Sequence, residues 1–251
     1  MAEENNFFPH EAKWNKEKVS RFWDYFAHNQ ELVDLAFARE AGNEIIDLLE
    51  PYIERNGRNL DYGCGTGHLL GYLFARGYNG AGLDSSAESI KKMEEKYNGN
   101  RHFQGAVLSS GIPNPIKDSN FDFCFFLETI EHILPNELDL NLKEINRLLK
   151  PGGYLFVSTP NKEKLDRNKV ICPDCGCIFH RVQHMNSFNV ETLSNIMRRN
   201  GFETVFCREV FLGINKGWFN KAKKIANQVR NFWFKTPPNL PHLIYLGKKI
   251  N

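Results

Sequence analysis

"LDYGCGTGHLL", residues 60–70, decides how the rest of the chain is read. Leu60 to Tyr62 end a short apolar run with the character of a buried strand. Glycines follow at 63, 65 and 67, and His68, Leu69 and Leu70 open a helical pattern. Glycines at a strand-to-helix turn let the backbone approach a ligand closely, and the helix start offers unpaired N–H donors. The dinucleotide fingerprint G-x-G-x-x-G holds a pyrophosphate in this way. Here the spacing is G-x-G-x-G, and His68 stands where the third fingerprint glycine would fall, a departure from a nicotinamide-binding loop. The next apolar run ends at Asp84, 21 residues beyond Gly63 (84 − 63). A carboxylate there accepts hydrogen bonds from both ribose hydroxyls of an adenosine ligand. The bland alternative is a helix N-cap, since "DSSAES" also starts a helix well.

Outward from this loop, short apolar runs alternate with amphipathic ones. Strands are predicted at 58–63, 80–84, 101–106, 121–128 and 153–160, with helices at 68–77, 86–97 and 136–150 between them; the last is stopped by Pro151-Gly152-Gly153. Strand–helix alternation with nearly continuous apolar strands predicts an α/β fold, a parallel sheet covered on both faces. A helix at 189–201 and two late strands, 202–211 and 241–249, without an ordinary crossover helix between them, predict a closing antiparallel pair. Residues 1–57 read as a helical N-terminal extension or lid, and 58–251 as the main domain.

The 251 residues suit one large domain, and 41% hydrophobic with 25% charged residues is an ordinary globular mix. A net charge of +2 gives no sign of a nucleic-acid binder, and none is expected as a partner. With no signal-peptide pattern and no membrane-length apolar run, the chain reads as cytoplasmic. Six cysteines in that setting argue for free thiols or metal ligands rather than disulfides.

"LDYGCGTG", "GLDSS", "FDFCFFLETIEHI" and "LLKPGGYLFVSTPN", in that order, resemble the successive motifs of class I S-adenosylmethionine-dependent methyltransferases, above all the group of ubiquinone-biosynthesis O-methyltransferases. The likeness runs over about residues 55–210, and "HLIYLGKK" resembles the family's last antiparallel strand. It implies a Rossmann-like seven-stranded sheet in the order 3-2-1-4-5-7-6, with S-adenosyl-L-methionine as cofactor. By this resemblance Asp61, Gly63, Cys64, Gly65 and Gly67 line the methionine part, and Asp84 with Ser85 holds the ribose. Where the family often has an adenine-contacting aspartate this chain has Ala106, so backbone N–H groups or Ser109 are expected to serve instead.

A sulfonium methyl is already activated, so the protein has mainly to align a nucleophile, with a base where the acceptor is a hydroxyl. Glu128, Glu131 and His132, in "LETIEHI" at the end of the fourth strand, are the candidate catalytic residues; solvated acids at a helix start are the plain alternative. The acceptor is expected to be a small molecule, lipid or glycan, methylated on oxygen by family analogy. A Cys/His insertion spans 161–188. In it, Cys172, Cys175, His180 and His184 read C-x2-C-x4-H-x3-H, a zinc-knuckle-like spacing with Cys177 as a spare, and predict a structural zinc. The sequence "NKGWFNKAKKIANQVRNFWFK", 215–235, has six basic residues and one apolar helical face. It fits either a helix packed on its own domain or one lying on an anionic membrane at the inner face. The competing readings are a non-enzymatic zinc-knuckle module gripping nucleic acid and a nicotinamide-dependent oxidoreductase.

Overall fold

The computed structural model describes residues 7–212 and 241–250. The basic 215–235 segment lies outside the described residues. No helix among them is long and apolar enough to cross a membrane.

Along the chain the strands are β1 (His10–Glu11), β2 (Arg58–Tyr62), β3 (Asn79–Asp84), β4 (Phe103–Leu108), β5 (Phe121–Leu127), β6 (Leu149–Pro160), β7 (Lys169–Ile171), β8 (Cys177–His180), β9 (Phe202–Val210) and β10 (His242–Lys249). The helices are α1 (Lys16–His28), α2 (Gln30–Val33), α3 (Phe37–Leu49), α4 (His68–Ala75), α5 (Ala87–Tyr97), α6 (Leu138–Leu148) and α7 (Val190–Arg199). Seven strands form one sheet, β4-β3-β2-β5-β6-β10-β9. Counted from Arg58, this is the expected order 3-2-1-4-5-7-6. β10 runs antiparallel to both neighbours, and the strands from β4 to β6 are parallel.

β5 shows why the sheet is covered twice. Its sequence FDFCFFL sends Phe123, Phe125 and Leu127 into a core formed with α3, α4 and α5, and Cys124 and Phe126 into one formed with α6 and α7. Side chains alternate between faces with period two, so a strand apolar at every position needs two apolar layers. With both faces sealed, the ends of the strands are where polar chemistry can sit, and the carboxyl ends of β2, β3, β5 and β6 gather at one edge.

The N-terminal region departs from uniform helix. Within the expected helical extension the chain breaks at Leu35-Ala36, where Ala36 takes an extended ψ of 125° before α3 begins. Residues 7–14 are not helical: His10 and Glu11 pair in parallel with Cys177 and Ile178. β1, β8 and β7 thus make a second, three-stranded sheet that ties the chain's beginning to the 161–188 insertion. α1 continues this contact, with Trp14 packing edge-on against Phe22 and Phe179.

Candidate active site

The glycine loop follows β2, and its three glycines all have positive φ: 82°, 48° and 77° at Gly63, Gly65 and Gly67. A Cβ would meet Thr129 Oγ1 at 2.5 Å on Gly63, and Met93 and Tyr97 at 2.9 Å on Gly67. On Gly65 it would meet nothing within 4 Å, so Gly65 forms the open side of the loop. Asp84, at the end of β3, accepts the Gly65 N–H at 2.9 Å through Oδ2 and the Ser86 N–H at 2.8 Å through Oδ1. It shapes the loop from outside and keeps lone pairs for a ligand's hydroxyls. Of the other expected contacts, Cys64 turns its sulfur inward toward Gly82 and offers the loop only backbone. Ser85 is exposed, and its carbonyl accepts the Ser20 hydroxyl of α1 at 3.4 Å. The Ser109 N–H is spent on Asp84 O at 2.8 Å.

Asp61 is 3% exposed, and no hydrogen bond or ion pair reaches its carboxylate among the described residues. Burial pushes its pKa up to about 8, and nearby Asp84 adds to the rise. A buried, unpaired carboxylate facing an open glycine loop suits a ligand that brings positive charge. An α-ammonium beside a sulfonium is such a ligand, so the residues present fit S-adenosylmethionine.

A second polar group lies at the ends of β5 and β6. Glu128 takes φ 42°, strained for a non-glycine residue, and its carboxylate lies 3.6 Å from His242 Nε2. Burial raises its pKa to about 8. Glu131, 1% exposed, accepts the Thr159 hydroxyl at 3.0 Å through Oε2, while Oε1 has no hydrogen-bond partner. Burial, and then Glu128, drives its pKa well above the ordinary carboxylate range. Around Oε1 stand His132 Nε2 at 3.9 Å and His184 Nε2 at 4.0 Å. Burial and the neighbouring His184 keep His132 neutral.

Glu163 sets the state of His184. Its Oε2 makes a very short contact with His184 Nδ1, and hydrogen bonds and charge from His184 outweigh desolvation to hold Glu163 below its usual pKa. An ionised carboxylate accepts only, so His184 Nδ1 carries a proton, and the neutral form of the ring turns its Nε2 lone pair toward Glu131. His180 packs its ring on His184 at 4.6 Å and lies 3.3 Å from Glu163 Oε1.

The sequence-predicted zinc quartet does not come together. Among the described residues, ligand atoms gather within 4.8 Å of one another in two groups, Glu131/His132/His184 and Glu163/His180/His184, and neither includes a cysteine. Cys172 and Cys175 lie on the β7–β8 turn, whereas His180 ends β8, paired with Lys169. At roughly 3.3 Å per residue, β8 carries His180 about 10 Å from Cys177. A knuckle needs the chain to fold back, and here it extends as a strand. His180 and His184 belong instead with the two glutamates.

Sequence reasoning missed Glu163, Thr159 and Gln183, and placed Trp23 only within the N-terminal extension or lid. Trp23 Nε1–H donates to Gln183 Oε1 at 2.8 Å, Gln183 Nε2–H donates to the His132 carbonyl at 3.0 Å, and the Trp23 ring lies 4.7 Å from that of His132. Ser86 donates to Asp24 at 2.6 Å and Lys92 to the Ala27 carbonyl at 2.6 Å, so α1 covers the site from the loop at Asp84 to the histidines. No local motif marks these partners, because their contacts join residues 21 to 160 positions apart.

The buried acids make a pH dependence. Asp61, Glu128 and Glu131 hold protons in the fold at pH values where the unfolded chain has lost them, so their contribution to stability falls as pH rises toward about 8. His68, His132, His180 and His242, all held below their usual pKa, oppose that fall only below about pH 6.5. The melting temperature of the ligand-free protein is expected to drop between about pH 6.5 and pH 8. S-adenosylmethionine should restore more of it at pH 8, and Asp61→Asn should flatten both trends. A melting temperature that rises over this interval would contradict the assignment.

Comparison with known proteins agrees with this geometry. A sequence model described as a methyltransferase domain matches residues 25–205. The ubiquinone biosynthesis O-methyltransferase of Pelagibacter ubique is 31% identical over 109 residues, 43% of this chain and 44% of that protein. The malonyl-[acyl-carrier protein] O-methyltransferase of Pectobacterium atrosepticum is 29% identical, over 53% of this chain and 54% of that protein. The chain thus aligns with only about half the length of these relatives. Among solved structures, the 1,6-didemethyltoxoflavin-N1-methyltransferase of Burkholderia thailandensis, with S-adenosylhomocysteine bound, superposes with a TM-score of 0.63 at 16% identity, covering 97% of this chain and 94% of that one.

Proposed function

Since the chain belongs to the methyltransferase domain family, we propose that it moves the methyl group of S-adenosylmethionine to a hydroxyl oxygen of a small-molecule, lipid or glycan acceptor. The family match supports an enzyme that takes S-adenosylmethionine. The choice of oxygen rests on one observation. Glu131 Oε1 is buried without a hydrogen-bond donor, and the nearest ring nitrogens, His132 Nε2 and His184 Nε2, stand about it. The neutral His184 ring offers an acceptor nitrogen there, and a substrate hydroxyl can donate to it. The names of the two relatives above also favour oxygen.

When bound, S-adenosylmethionine supplies a methyl group already activated for transfer. Asp61 meets its positive charge, and the Gly65 side of the loop gives it room. Asp84 accepts from its ribose while fixing the loop. His184, held by Glu163, takes the acceptor's proton on Nε2 as the oxygen attacks. The positive charge so formed favours ionisation of Glu131, whose proton passes to solvent, and the carboxylate stabilises the imidazolium. α1, through Trp23 and Gln183, excludes water from the transfer. Glu131, His132 and His184 can also hold a divalent cation, which would make the acceptor hydroxyl more acidic.

The test is a screen with methyl-labelled S-adenosylmethionine against matched phenols, lipid and glycan hydroxyls, and amines, with and without a chelator. Label on oxygen, lost with His184→Asn, is the expected result. Label confined to nitrogen or carbon would overturn the choice of oxygen. A requirement for metal would make the cluster a cation site rather than a free base.

A further inference from the structure

The cysteines parted from the histidines form a grouping of their own. Cys172 and Cys175 lie on the β7–β8 turn and Cys177 opens β8, with the turn closed by the Gly176 N–H to Cys172 O at 2.9 Å and the Cys172 N–H to Cys177 O at 2.8 Å. β1 runs alongside. His10 is in register with Cys177 and donates its N–H to Gly176 O at 3.0 Å. Residues aligned on neighbouring strands project from the same face of a sheet, so the His10 ring and the Cys177 thiol leave on one side.

His10 is also prepared electronically. Its Nδ1 lies 2.9 Å from the Phe8 carbonyl. A carbonyl only accepts, so Nδ1 carries the proton and the Nε2 lone pair is free. An imidazole anchored to a backbone carbonyl in this way is a common metal ligand. Gly176 shows how tightly the two segments meet: a Cβ there would stand 2.5 Å from Phe8 O.

We propose that Cys172, Cys175, Cys177 and His10 form a structural zinc site that fastens the N-terminal strand to the insertion hairpin. Three thiolates and one imidazole make a closed tetrahedral set with no position left for substrate. The four ligand atoms do not lie within 4.8 Å of one another in the metal-free fold. Metal binding draws in the side chains of Cys175 and His10, both exposed, from the positions they hold in the metal-free fold. The consequence reaches the active site. β1 has two residues, and the chain after it places Trp14 on Phe179 and then enters α1, which carries Trp23 onto His132. Metal at the turn holds the start of the segment that covers the catalytic cluster. This site is independent of the glutamate–histidine cluster and of the reaction proposed above.

The experiment is a cobalt(II) titration of the full-length, reduced, chelator-stripped protein, followed by displacement with zinc. One equivalent should give thiolate-to-cobalt charge-transfer bands and the intense d–d bands of tetrahedral coordination. The inner cluster has no thiolate and cannot produce the first of these. Cys172→Ser with Cys175→Ser should abolish the bands. Cys177→Ser and His10→Ala should each weaken zinc binding by about tenfold or more, and His180→Gln should leave the bands unchanged. Should the cysteine variants fail to fold by circular dichroism, the wild-type spectrum and the surface variant His10→Ala decide alone. Absence of thiolate bands, bands indifferent to His10→Ala and Cys177→Ser, or bands lost with His180→Gln would each overturn the proposal.

Discussion

Asp84→Ala is expected to weaken S-adenosylhomocysteine binding by about a hundredfold or more, with the fold retained. The residue acts twice. Its carboxylate accepts the Gly65 and Ser86 N–H groups at 2.9 and 2.8 Å, which sets the loop, and its remaining lone pairs face the ribose position. Hydrogen bonds to a charged group contribute roughly 1.5–3 kcal/mol each, so losing two such ligand contacts corresponds to about 3–4 kcal/mol or more. Asp84→Asn, which still accepts from Gly65, should fall between the two. Calorimetric titration gives the affinities. A loss smaller than about tenfold for the alanine variant would show that Asp84 is only a turn residue, the helix-cap reading that "DSSAES" also allows.

Glu131→Gln is expected to slow transfer to a hydroxyl acceptor by about a hundredfold to ten-thousandfold, the range usual for a residue acting in acid–base catalysis. Stability should hold. Burial keeps Glu131 protonated in the ligand-free fold, and an amide of the same shape replaces a neutral acid without stranding a charge. The Thr159 hydroxyl can still donate to the amide oxygen. Cofactor affinity should be unchanged, because no glycine-loop contact involves Glu131. Single-turnover rates, thermal melting and cofactor titration separate the three quantities. Full activity in Glu131→Gln would remove this residue from the chemistry, and a large loss of stability would make it a structural acid.

The fold was legible because its signals are local and periodic. β5 is apolar at nearly every position, which only a strand buried on both faces tolerates. The loop from Gly63 to Gly67 and the aspartate closing β3 likewise belong to single short segments. The candidate site was half legible. Glu128, Glu131 and His132 sit at a strand end that can be read directly, but their electrostatic state depends on residues brought in from elsewhere. Glu163 fixes the proton on His184, and Trp23 reaches His132 through Gln183. The Cys/His insertion misled for a physical reason: spacing alone does not say whether the residues between cysteine and histidine turn back or extend. They extend as β8, so the histidines join the glutamates and the cysteines face β1, a strand of two residues that carries no periodic signal.

The central claim is that the glycine loop with Asp61 and Asp84 takes S-adenosylmethionine, and the most direct measurement is calorimetric titration of the wild-type protein with S-adenosylhomocysteine and, separately, with NAD. One S-adenosylhomocysteine bound per chain and no heat from NAD is the predicted result. Binding of NAD, or of neither ligand by a protein shown to be folded, would contradict it.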